Sequence, residues 1–172
     1  MQSHAIHDAT SRLASFMPDT PALPELIAAL SERGIDLSGA NVRNGGYGDS
    51  EESSAMLIAL IAARVKRCTS SLLWSWEFDG ERLPREGDIE IVLDFRNRPV
   101  LLLRTTKVEI VPFEKVSGEF AAAEGEGDRS LECWRVEHWR FFGKECERIG
   151  RQPVASMPLV CETFDVIADL GR

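Results

Sequence analysis

No run of about 18 uncharged apolar residues occurs in this 172-residue chain, and Met1 to Ser15 hold no signal-peptide core. A soluble, cytoplasmic protein without a membrane partner is therefore expected. Cysteine is sparse, and Cys68, Cys133, Cys146 and Cys161 lack any C-x-x-C spacing, which argues against structural zinc and a disulfide framework. Positive charge is also short: 20 Lys and Arg face 28 Asp and Glu, for a net charge of -8. That balance disfavours a non-specific duplex binder, while leaving room for a local basic mouth. No internal repeat is visible. Gly46-Tyr47-Gly48-Asp49 lacks the preceding strand and following lysine of a phosphate loop. What is present is ordinary globular material, 44% apolar, enough for one domain with a real core.

Residues 1 to 40 form an N-terminal extension in which Pro18, Pro21 and Pro24 precede a short helix, Glu25 to Arg33, ended by Gly34. Residues 41 to 172 form the main domain. Gly45 to Gly48 read as a flexible approach to Asp49, expected to cap a helix with Glu52 in the capping-box position. That helix, Ser53 to Arg67, carries Met56, Leu57, Leu60, Ile61 and Val65 at helical spacing and is expected to be buried on more than one side. Thr69 to Phe78 then reads as a strand, with Asp79-Gly80 as its turn.

Ile89, Ile91, Leu93 and Phe95 alternate with Glu90, Val92 and Asp94, the pattern of a strand with one core-facing side. A longer strand, Val100 to Val111, begins too apolar to be exposed on either face. A short helical stretch near Phe113 to Phe120 leads to the run Ala121 to Asp128. Asp128 or Ser130 can cap a final helix with Leu131, Trp134, His138, Phe141, Phe142 and Ile149 on its apolar stripe, and Met157 to Ile167 closes as a strand. This order gives an α+β fold, a small mixed β-barrel flanked by helices.

Chemistry is best placed at Lys66 and Thr69, where the helix runs into the following strand and an amine and a hydroxyl can face one another. The plainer reading is a solvated lysine at the negative helix end and a strand-starting threonine. Ser70 and Ser71 leave open which hydroxyl faces the cleft. Tyr47, Trp74 and Trp76 are candidates to stack a base, although each tryptophan equally suits a core. His138 reads as a packed, hydrogen-bonded residue, and Cys68, without a histidine partner, as core.

The order Lys66-x-x-Thr69, Gly87-Asp88 before a strand, Arg104-Thr105-Thr106-x-Val108, and Glu119 to Asp128 ahead of Trp134-Arg135 resembles the ASCH domain family. The resemblance spans about Asn44 to Val166 and implies a PUA-like barrel linked to RNA. One departure is Arg64, where the family usually has glycine two positions before its lysine. Some ASCH proteins resemble amidohydrolases that deacetylate N4-acetylcytidine with a lysine, a threonine and a glutamate, roles that would fall on Lys66, Thr69 and Glu124. Others are ribonucleases acting on single-stranded RNA, and a non-catalytic RNA-binding module is the third alternative.

For amidohydrolysis, Lys66 must be neutral to deprotonate Thr69, which a nearby Glu124 opposes. For RNA cleavage, a charged Lys66 stabilises the phosphate, helped by Arg67 or Arg104, and Glu124, Glu126 and Asp128 act as base or gather a divalent metal ion. The expected partner is single-stranded RNA or a modified nucleoside, the leading expectation a ribonuclease. Expected site residues are Lys66, Thr69 and Glu124 for catalysis, and Tyr47, Arg64, Arg67, Trp74, Arg104 and Asp128 for substrate.

Overall fold

The computed structural model describes residues 21–171, so the sequence expectations for Met1 to Thr20 lie outside the described residues. Five helices and five strands follow one another as α1 (Leu23–Glu32), β1 (Val42–Gly46), α2 (Glu51–Ala62), β2 (Cys68–Leu72), α3 (Leu73–Asp79), β3 (Ile89–Leu93), β4 (Pro99–Pro112), α4 (Gly118–Glu124), α5 (Leu131–Arg148) and β5 (Pro158–Asp169), with a 3-10 turn at Phe113–Lys115. The strands form one sheet in the order β1-β3-β4-β5-β2. β1 runs parallel to β3 and every other pairing is antiparallel.

The sheet is curled into a half-barrel. Irregularities in register at Val92/Leu93, Leu102/Leu103 and Thr105/Lys107 add local twist and bend to the long strands. The curl has a direct signature: Arg43 on β1 reaches Glu162 on β5 at 2.7 Å. Those strands are three positions apart in the sheet, about 14 Å when flat.

Three apolar clusters fill the two faces. α4 and α5 cover β2 and β5 through Leu72, Val116, Trp134, Phe142, Cys146 and Leu159. α1 packs Leu26 and Leu30 on Ile89, Ile91, Leu93 and Leu102. On the concave side, Ile61 of α2 joins Val92, Leu101, Leu103 and Phe164. No helix among the described residues is long and apolar enough to cross a membrane.

Several local expectations change. The segment 45–48 is not all approach: Gly45 and Gly46 end strand β1. The strand passes there because a Cβ at Gly45 would stand 2.8 Å from Glu90 Oε1, so glycine packs where its β propensity alone argues against a strand. Ser50 rather than Asp49 caps α2, in a reciprocal box with Ser53 rather than Glu52. α2 ends at Ala62 and buries only the side bearing Ser54, Leu57 and Ile61, leaving Met56 exposed.

The expected strand from Thr69 to Phe78 stops at Leu72 and turns into α3. Bulky apolar residues suit either form over so short a run. Burial of Ser75 and Trp76, a bond from Trp76 Nε1 to Ser71 Oγ at 2.9 Å, and left-handed Gly80 beyond the last turn select the helix. β3 is buried on both sides, not one, because Glu90 points into the concave face against Arg43 while Val92 enters the core beneath α2.

Candidate functional site

Two backbone segments distant in sequence build the site. After α2, Ala63 caps the helix, Arg64 takes a left-handed φ of 58°, and Val65 and Lys66 both donate backbone N–H groups to the Leu60 carbonyl. The second segment is the end of α4, where left-handed Gly125 follows Glu124. Arg67 N–H donates to the Ala123 carbonyl at 2.9 Å, and a Cβ on Gly125 would lie 2.9 Å from both the carbonyl carbon and oxygen of Val65. Only a glycine lets these backbones meet, and their meeting carries Glu124 to Lys66.

Lys66 Nζ donates to Glu124 Oε2 at 2.8 Å and to Glu126 Oε1 at 2.7 Å. The Lys66 and Glu124 side chains are each 1% exposed, whereas Glu126 is 34% exposed and is the partner in contact with solvent. Glu124 Oε1 accepts from Ser70 Oγ at 2.7 Å and from Trp134 Nε1 at 3.1 Å. His138 stacks on Trp134 with centroids 4.2 Å apart, sets Nδ1 3.0 Å from the Trp134 carbonyl, and brings Nε2 to 3.5 Å from Glu124 Oε1.

The electrostatics follow from this geometry. Burial pushes the Lys66 amine toward neutrality, but the charges of Glu124 and Glu126 outweigh it and raise its pKa. Burial likewise pushes the Glu124 carboxyl up, yet the Lys66 charge and bonding from His138 and Lys66 hold it down at about 2. Both groups are therefore ionised near neutral pH. The thiols behave oppositely: burial and then Glu124 push Cys68 and Cys161 up to about 12, too high for a thiolate nucleophile.

The structure thus joins Lys66 to Glu124 but not to Thr69. β2 alternates, so Ser70 turns to Glu124 while Thr69, paired with Glu162, sits on the concave face. Arg67 is exposed, its backbone tied to Ala123 and Phe164. Arg64 is exposed too, with Nη2 3.4 Å from the Val166 carbonyl. Tyr47 packs on the α2 side of the core, its phenol driven well above its usual pKa by burial and then by Glu90. Trp74 is half-buried beneath Arg151, 4.5 Å from its guanidinium.

Arg104 lies elsewhere, in a groove lined by Ile35, Leu37, Gly87 and Ile167. Asp128 accepts from the Ser130 N–H at the start of α5, the bonding that lowers its pKa. It does not join Glu124 and Glu126, between which the Lys66 ammonium already stands where a cation would. Among the described residues no group of three or more His, Cys, Asp and Glu is arranged to hold a metal ion.

Sequence reasoning missed a second polar cluster, on the concave face. Arg43 donates from Nε and Nη2 to Glu90 Oε2 at 3.0 and 2.6 Å, and from Nη2 to Glu162 Oε2 at 2.7 Å. Thr105 Oγ1 adds a long bond to Glu162 at 3.5 Å, and the Arg43 guanidinium lies 6.0 Å from the Trp76 ring centroid. The available signal was Glu90, the single charge inside the otherwise apolar strand β3, and Glu162, which follows the apolar run Leu159 to Cys161 in β5.

A curled mixed sheet of this strand order, helices packed on both of its faces and a buried lysine and carboxylate at a helix-to-strand junction define a PUA-like half-barrel domain. The chain belongs to the ASCH domain family, whose model matches residues 45–168. It is similar to the crystal structure of an ASCH domain from Lactobacillus crispatus JV V101, with a TM-score of 0.74 at 28% identity over 83% of this chain and 92% of the other. A protein from Enterococcus faecalis V583, of the DUF984 family, superimposes with a TM-score of 0.70 at 35% identity over 83% of this chain and 86% of its own. No curated protein matches the chain.

Proposed function

We propose that this ASCH domain binds single-stranded RNA and cleaves it, with Lys66 serving as a charged ammonium toward a phosphate. The observation that carries the reading is the ion triad in which two carboxylates, at 2.8 and 2.7 Å, hold Lys66 protonated. A charged lysine cannot take a proton from a hydroxyl, and Thr69 stands on the other face of β2. Both facts weigh against deacetylation of an N4-acetylcytidine-type nucleoside by Lys66 and Thr69. A fixed positive charge with fixed partners instead suits stabilisation of developing charge on a phosphate. Glu126, the partly exposed partner, is the group most free to yield its position to a phosphate oxygen. ASCH domains, like PUA domains, are generally RNA-binding, which supports RNA as the ligand class.

The test is a paired incubation of purified protein with single-stranded RNA and, separately, with N4-acetylcytidine, repeated with Lys66→Ala and Glu126→Ala. The expected result is RNA shortened by the parent protein and left intact by Lys66→Ala, tighter RNA retention by Glu126→Ala, and unchanged N4-acetylcytidine. Shortening that persists in Lys66→Ala would mark a contaminating nuclease and sink the reading. RNA retained without shortening would reduce the domain to a binding module, and released acetate would restore the amidohydrolase.

A further inference from the structure

His138 meets Glu124 at the oxygen that Lys66 does not use. Its side chain is 12% exposed, with Nε2 3.5 Å from Glu124 Oε1 and Nδ1 3.0 Å from the Trp134 carbonyl oxygen. Stacking on Trp134 and contact with Phe142, 5.7 Å between centroids, set the plane of the ring. Both oxygens can only accept, one being a carbonyl and the other a carboxylate that is ionised near neutral pH. A neutral imidazole carries one N–H and one lone pair, so in either tautomer a lone pair is turned on an oxygen. The imidazolium, with two N–H groups, answers both.

The charges around the ring come from several elements. Lys66, after α2, and Glu124, at the end of α4, are buried, and the half-exposed Glu126 pairs with Lys66. On α5 itself Arg135 donates to the Glu114 carbonyl and Glu137 pairs with Arg140, so both are engaged elsewhere. The Cys68 thiol of β2 and the Cys161 thiol of β5 feel the same Glu124 carboxylate, and burial keeps them neutral. With His138 neutral, Glu124 cancels the Lys66 charge, and a phosphate that replaces Glu126 meets no net charge. With His138 protonated, Glu124 is shared between two cations and the phosphate meets one positive charge. We propose that His138 is a proton-linked positioning residue, which takes a proton from solvent as phosphate replaces Glu126 and, through Glu124, sets the charge that Lys66 presents. This rests on the RNA reading above and adds regulation to it: affinity for RNA falls as pH rises through the range in which histidine changes charge.

The test measures binding of oligouridylate, whose bases do not titrate in this range, at a series of pH values between about 5 and 8. It is made with the full chain and with His138→Gln, which keeps a side-chain N–H for Glu124 but no titrating proton. Expected in the parent is a loss of affinity with rising pH whose slope approaches about tenfold per pH unit, the limit for one linked proton. In His138→Gln the slope should vanish, although His4 and His7 are still present. A flat profile in the parent, or the same slope in both proteins, would overturn the role of His138 and leave the RNA reading standing. Absence of binding at every pH would overturn both. Should His138→Gln lose its cooperative unfolding transition, the imidazole nitrogen resonances of His138, followed in a chain carrying His4→Gln and His7→Gln, decide the matter. Their titration midpoint is expected to rise when oligouridylate is added, and a midpoint unmoved by bound RNA would overturn the linkage.

Discussion

Arg64 holds a conformation suited to a residue it is not. Its φ of 58° is left-handed, the state glycine adopts without steric cost and a residue with a Cβ adopts at a cost of about 1 kcal/mol. The family's usual glycine two positions before the lysine is thus explained by backbone, and this chain keeps the turn while carrying the strain. Arg64→Gly is expected to raise stability by up to about 1 kcal/mol, after the entropy that glycine adds to the unfolded chain. Denaturant unfolding checks it: a shift of the midpoint to lower concentration would show that the Arg64 contact with the Val166 carbonyl outweighs the strain. The serine at position 70 teaches the converse lesson. Spacing marks a hydroxyl near Lys66, but strand alternation decides that it is Ser70 rather than Thr69.

At the scale of elements, the site depends on the docking of the α4 end against the turn after α2. Gly125 is left-handed, and an added Cβ would strike the Val65 carbonyl. Gly125→Ala therefore combines backbone strain with a collision that no rotamer relieves, and should destabilise by about 2 kcal/mol or more. The variant should also lose the burial of Lys66, read as faster reaction of that amine with a lysine-directed label. Unchanged stability and labelling would mean that the two segments do not hold each other. Of the two residues the sequence offers as the cap of α5, Asp128 and Ser130, the structure uses Ser130, and Asp128 accepts from its N–H. What sequence did not carry is that Gly125 is a contact surface, because that depends on a backbone 60 positions earlier in the chain.

For the whole molecule, the buried ion triad makes stability pH-dependent. Glu124 has its pKa lowered from 4.5 to about 2, so its contribution is fully present above pH 4.5 and is lost as pH falls toward 2. By linkage this amounts to about 3 kcal/mol. Lys66, with a raised pKa, contributes below its ordinary 10.5 and loses that contribution only as pH climbs through its higher folded value. Unfolding curves at a series of pH values between 6 and 2, in the parent and in Glu124→Gln, isolate the first effect. The variant should be less stable near neutrality, because Lys66 keeps only Glu126, and should show a flatter decline with acid. An equal slope in both proteins would mean that Glu124 does not couple folding to protonation.

By itself the sequence determined the class of the molecule and most of its parts. The apolar opening of β4, the capped helix α5 ended near Gly150, though with Phe141 of its expected stripe exposed, and the order of motifs from Lys66 to Trp134 are local patterns, and local patterns survive in one dimension. Tertiary structure decided the rest. It made Gly45 and Gly46 a strand, turned Leu73–Asp79 into a helix, split Thr69 from Lys66 across the sheet, and sent Arg104 to another groove. It also curled the sheet until Arg43 met Glu162. Each of these outcomes depends on which face a residue presents and on what lies across from it. Those relations arise from long-range pairing and burial, which spacing along the chain does not record.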